Sequence, residues 1–153
     1  MKRIIFLILF LISSLLSAQV PLEFSIHARG SDINGVVGVE LQVYNISISQ
    51  GWRPMDIETN SFTTSFSWYL NKTILQAQPY FTGGYASKGY GYSINEFNDM
   101  NYIPGGFILV GVRSTIPEIS DRLSGKGGFG FTFSENGGFF SFELSINFVL
   151  FKN

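Results

Sequence analysis

The stretch Glu23-Phe24-Ser25-Ile26-His27 sets a carboxylate, a hydroxyl and an imidazole at alternate positions. Residues two apart on an extended strand share a face, so this spacing places side by side the parts of a nucleophilic hydrolytic triad. A working triad needs more than its parts. The base must reach the nucleophile by a hydrogen bond, in a pocket that admits substrate. Polar filler in a protein interior uses the same residue types without those demands, and it is the favoured reading. His27 is the single histidine among 153 residues and there is no cysteine, so a metal centre built on histidine or cysteine is not expected. The glycine pairs Gly83-Gly84, Gly105-Gly106 and Gly127-Gly128 are not followed by a helix opening with the Lys-Ser or Lys-Thr of a phosphate-binding loop. No cofactor is implied.

Strands must position these side chains. From residue 20 onward the chain divides into eight segments of period two, at 22–29, 36–44, 46–54, 61–70, 73–86, 102–114, 126–134 and 139–151, separated by turn residues. Residues 87–101 form the longest irregular stretch, and 115–125 reads as a turn with a short helical piece. Eight alternating segments without a credible long helix predict an all-β fold, an eight-stranded antiparallel up-and-down barrel.

Which face looks inward follows from volume. One parity carries Phe62, Phe66, Trp68, Phe129, Phe131, Phe133, Phe140, Phe142, Leu144, Ile146, Phe148 and Leu150, with Phe24, Trp52, Phe81 and many aliphatic residues besides. An eight-stranded barrel has an interior only just wide enough to be filled by side chains, and this set would overfill it. The other parity is mostly Gly, Ser, Thr, Asn and Gln, and it also carries Glu23, His27, Arg29, Glu40, Arg53, Arg113 and Glu143. Charges are costly against lipid but can pair inside a narrow lumen. The bulky set is therefore expected to face lipid, and the charged set to form a lumen network in which Glu143 faces Arg29 or Arg53. A strand of about ten residues at about 3.3 Å each, tilted about 40°, spans roughly the 25 Å apolar band of an outer-membrane barrel.

The N-terminus fits that destination. Met1-Lys2-Arg3, an apolar run from Ile4 to Leu16 and the small-residue exit Ser17-Ala18 describe a secretory signal peptide over residues 1–18, with the barrel domain over 19–153. Setting aside Lys2 and Arg3, eight basic residues remain against eleven acidic ones, a net charge of −3 that argues against nucleic acid as a partner.

Taken together, the signal peptide, the strand count, the alternation and the aromatic-rich last strand ending Phe148-Val149-Leu150-Phe151 resemble the small outer-membrane barrels of the OmpA and OmpX type. That resemblance implies the outer membrane of a Gram-negative-type bacterium as location, its lipid as surroundings, and recognition of the last strand by the barrel-assembly machinery. It implies a structural or surface-interaction role and no enzymatic activity. Residues 87–101, with Tyr90, Tyr92 and Phe97, are a candidate outer loop for an extracellular partner, since Tyr-rich loops supply contact area at low entropy cost. Three alternatives remain. A lipid hydrolase similar to the lipid A deacylases would need Ser25 and His27 together and facing lipid. A soluble lipocalin-like barrel would need an apolar cavity, and a narrow channel would need a water path past Glu40, Glu143 and Arg53.

Overall fold

The computed structural model describes residues 20–31, 35–52, 62–87, 92–94, 100–102, 104–117, 119–135 and 137–153. Ten strands follow one another: β1 (Leu22–Ser31), β2 (Gly35–Val43), β3 (Ile46–Trp52), β4 (Phe62–Tyr69), β5 (Gln78–Ala86), β6 (Tyr92–Ile94), β7 (Met100–Tyr102), β8 (Gly105–Ile116), β9 (Ser120–Ser134) and β10 (Gly137–Lys152). Eight of them close a barrel in the order β1-β10-β9-β8-β5-β4-β3-β2, while β6 and β7 form a separate two-stranded hairpin within the link from β5 to β8. Every barrel pairing is antiparallel, and β10 closes the ring by pairing with β1 from Glu23↔Lys152 to Ser31↔Glu143.

The alternation in the sequence becomes two unlike walls. The twelve bulky residues predicted to face outward are all on the outer wall, between 39% and 65% exposed. Their rings pack laterally across strands, with Trp68 stacked on Phe81 at 6.2 Å and Phe140 against both Phe129 and Phe131 at 6.1 Å. On the inner wall Ser25, Ser47, Ser49, Thr63, Ser65, Ser67, Thr82, Thr132 and Ser141 are buried. The hydroxyls of Ser49 and Ser65 lie 2.6 Å apart, and Ser67 donates to Thr82 at 2.9 Å.

Three large rings, Tyr69, Tyr80 and Phe107, nevertheless enter the lumen, and glycines face the last two. A Cβ at Gly84 would stand 2.4 Å from the Phe107 ring and 2.5 Å from the Thr64 carbonyl oxygen, and one at Gly128 would stand 2.8 Å from the Tyr80 hydroxyl. Gly84→Ala is therefore expected to destabilise the barrel by about 1–3 kcal/mol, since both ring and backbone must shift. A fall in the urea midpoint of the folded species, with Gly83→Ala as a control that meets only a contact at 3.7 Å, would measure it.

Three links differ from expectation. The stretch 87–101 is not irregular throughout, since it carries β6 and the start of β7, and Tyr102 belongs to β7 and not to the barrel strand, which begins at Gly105. The stretch 115–125 is not a long turn: β8 runs on to Ile116 and β9 begins at Ser120, with a register shift between Thr115 and Ile116. Its last residues, Ser124 and Gly125, imitate turn chemistry, but they are ladder members that pair with Asn147 and Ile146. Conversely, residues 73–77 are not strand. Ile74 and Ala77 exchange backbone hydrogen bonds at 2.8 and 3.0 Å around Leu75 and Gln76, whose φ values are +51° and +65°. Two consecutive positive φ values make the two-residue turn of a tight hairpin, and its side chains mimic strand alternation. The pairing of β1 with β10 carries a register shift between Phe24 and Ser25, and Val149, on the same parity as Glu143 and Asn147, lies on the inner side at 6% exposed.

Candidate functional site

Among the described residues, three ion pairs run through the middle of the lumen. Along β1 and β2, Glu23, Glu40 and Arg29 arrive from inward positions, and β8, β9 and β10 bring Arg113, Lys126 and Glu143 opposite them. Glu40 is the hub. Its Oε1 accepts from Ser47 at 2.6 Å, Tyr69 at 2.7 Å and Lys126 at 2.7 Å. Its Oε2 accepts from Lys126 at 2.5 Å and Asn147 at 2.7 Å. Five strands, β2, β3, β4, β9 and β10, thus converge on one carboxylate. The Lys126 ammonium also lies 5.1 Å from the Tyr69 ring centre and 5.9 Å from that of Tyr80, within range of cation–π attraction.

The flanking pairs are looser or more fully forked. Toward the end where Leu22 and Lys152 lie, Arg113 donates to Glu23, to Gln42 at 2.7 Å and to Ser124 at 3.2 Å. Toward the opposite end, Arg29 donates to Glu143 at 3.5 Å, Tyr80 donates to the other Glu143 oxygen at 3.1 Å, and the guanidinium lies 5.5 Å from the Phe107 ring centre. Phe107 with Ala86 and Leu109 forms a small apolar cluster there.

Two spaces adjoin this plug. A gap of about 20 Å³, bordered by His27, Arg29, Glu40, Tyr80, Lys126 and Glu143, has the size that admits one water molecule. An open vestibule of about 680 Å³ lies at the Leu22 and Lys152 end, lined by Glu23, Gln42, Gln78, Arg113, Ser124 and Lys152 among others.

Glu23, His27, Arg29, Glu40, Arg113 and Glu143 all lie on the inner wall, and Glu143 takes Arg29 as its partner. Arg53 falls outside the described residues, as do Tyr90, Phe97 and residues 1–19; Tyr92 pairs with Tyr102 through the β6–β7 hairpin, its side chain undescribed. Lys126 is the member that sequence reasoning missed. Its signal was available, because it shares parity with Gly128 and Gly130, but it stood at the edge of a supposed turn. Ser25 and His27 are 2% and 5% exposed and point into the lumen, so the lipid-facing pair that a deacylase-like hydrolase needs is not formed. His27 Nδ1 is buried without a partner among the described residues. The described residues also contain no cluster of metal-ligating side chains.

A closed eight-stranded antiparallel barrel with a polar, charge-paired interior is the fold of the small OmpA-type barrels. Among solved structures, the chain is similar to the N-terminal β-barrel domain of OprF from Pseudomonas aeruginosa, at 14% identity and a TM-score of 0.52, over 86% of this chain and 98% of that one. At that identity the likeness is one of fold. Neither the family models nor the curated proteins give a match.

Proposed function

We propose that this chain is an integral outer-membrane β-barrel with a structural or surface-interaction role, exported by its N-terminal signal peptide and free of enzymatic activity. One observation carries the reading: large apolar side chains surround the outer wall at 39–65% exposure while the paired charges are buried inside. A water-soluble chain would have to hide so continuous an apolar surface, whereas a bilayer is the solvent in which it is stable. The similarity to the OprF barrel domain agrees with it. Among the described residues the lumen is plugged by side chains and shows no apolar cavity of the lipocalin kind, which supports a stabilising network over an open pore. The Tyr-rich link between β5 and β8 is the candidate surface for an outside partner, and β10 the element presented to the assembly machinery.

The test is fractionation of the envelope followed by a denaturing gel of unboiled and boiled protein. Recovery with the outer membrane and a faster-migrating unboiled band are expected. Recovery in the aqueous fraction without a mobility shift would overturn the reading.

A further inference from the structure

The outer wall has one polar interruption of its own. Gln50 on β3 stands opposite Thr64 on β4, Thr64 stands opposite Tyr85 on β5, and Tyr85 stands opposite Gly106 on β8, so the three polar groups form a single row across adjacent strands. Between the strand ends, the outward positions of the described strands are otherwise apolar or glycine, apart from Ser114, which donates to the neighbouring Thr115 carbonyl at 3.2 Å.

The row is built to donate. Thr64 Oγ1 donates to Gln50 Oε1 at 2.6 Å. That bond occupies the amide oxygen, and neither Gln50 Nε2 nor the hydroxyl of Tyr85, a residue 48% exposed on this wall, has a hydrogen-bond partner among the described residues. Unpaired donors facing hydrocarbon are costly, so a bound acceptor would be favoured there. Gly83 and Gly106 leave shallow depressions beside the row, since a Cβ at either would meet nothing nearer than 3.6 Å. Trp52 and Phe62 face each other two residues further along the same wall, and the Phe62 and Tyr85 rings are 6.4 Å apart. Aromatic residues gather at the membrane interface, and two tilted strand residues span about 5 Å. The row then lies just inside the interface, where the acceptors are the carbonyls that join acyl chains to headgroups. No charged side chain stands in the row, which favours a neutral carbonyl over a phosphate, whose recognition calls on Arg or Lys.

We infer that Gln50, Thr64 and Tyr85 form a lipid-binding site on the outer wall, taking the acyl carbonyl of one membrane lipid. The inference rests on the membrane reading above. Barrels reconstituted in vesicles of an ester-linked diacyl phospholipid, of its ether-linked analogue lacking the carbonyls, or of the phospholipid mixed with an amide-acylated glucosamine lipid would be extracted in mild detergent and weighed intact by mass spectrometry. Wild type is expected to retain one ester-linked lipid and to lose it with the ether analogue. Preferential retention from the mixed vesicles would assign the carbonyl to the glycolipid amide, still in support. Gln50→Leu with Thr64→Val should retain about fivefold to tenfold less, the loss expected for one or two hydrogen bonds, while keeping its heat-dependent gel shift. Tyr85→Phe, which keeps the ring, should show part of that loss.

Equal retention of ester and ether lipids, or unchanged retention in the double variant, overturns the site. A wild-type dimer that the double variant dissolves assigns the row to a second copy and overturns it too. Absence of the gel shift in every vesicle would overturn the membrane reading itself, a result distinct from the others.

Discussion

Glu40→Leu is expected to be the most damaging single substitution in the lumen. It removes the acceptor of four side chains, from Ser47, Tyr69, Lys126 and Asn147, and leaves the Lys126 ammonium buried without its counter-charge. Breaking a buried ion pair by deleting one partner costs about 3–5 kcal/mol, chiefly through the charge left behind. Lys126→Met should cost a comparable amount for the mirror reason. Because removing both charges removes the stranded one, Glu40→Leu with Lys126→Met should recover much of the loss. Folded fractions across a urea series, read from the unboiled gel band or from tryptophan fluorescence in detergent, give all three values. If the double variant is as unstable as the sum of the singles, the two side chains are not coupled and the hub is misassigned.

The second large effect is on the outer wall. Leu144 lies near the middle of β10 and is 65% exposed. In water, Leu144→Arg at so exposed a position would change stability by no more than about 0.5 kcal/mol. Facing the bilayer midplane, it should cost about 2–4 kcal/mol, while the same change at Leu150, near the strand end, should cost about 0–1 kcal/mol. Urea unfolding in vesicles measures the difference between the two sites. A depth-dependent penalty is a property of a lipid-facing wall; equal and small effects at both positions would mean that this wall meets water.

The barrel was legible because its information is carried by parity. Once Phe140, Phe142, Leu144, Ile146, Phe148 and Leu150 are read as one face, Glu143 has to lie on the other, and a wall too bulky for an eight-stranded interior can only turn outward. Boundaries were less legible, since they depend on residues whose local chemistry serves two purposes. Ser124 and Gly125 look like the end of a turn, yet they are ladder positions of β9. Ile74 to Ala77 look like a strand because Leu75-Gln76-Ala77-Gln78 alternates apolar and polar residues, yet Leu75 and Gln76 both have positive φ. Starting β9 at Lys126 and not at Ser120 left Lys126 at a strand end, outside the set of inward charges, and with it the identity of the hub was missed. The outer polar row was hidden differently: Gln50 and Thr64 interrupt an otherwise apolar parity, and only the register of β3 on β4 reveals that the two interruptions coincide.

The pairing of β1 with β10 also governs how this chain can reach its native state. Arg29 and Glu143, which meet in the lumen, are 114 positions apart in sequence, and until β10 arrives β1 keeps an open hydrogen-bonding edge. Contacts of such long range make folding slow, because loop-closure entropy is lost before the contacts repay it. An emerging chain with one unpaired edge and an apolar wall is also poised to pair with other copies of itself. Ring closure through the β1–β10 pairing is thus a kinetic commitment, and the arrival of β10 decides when exposure ends.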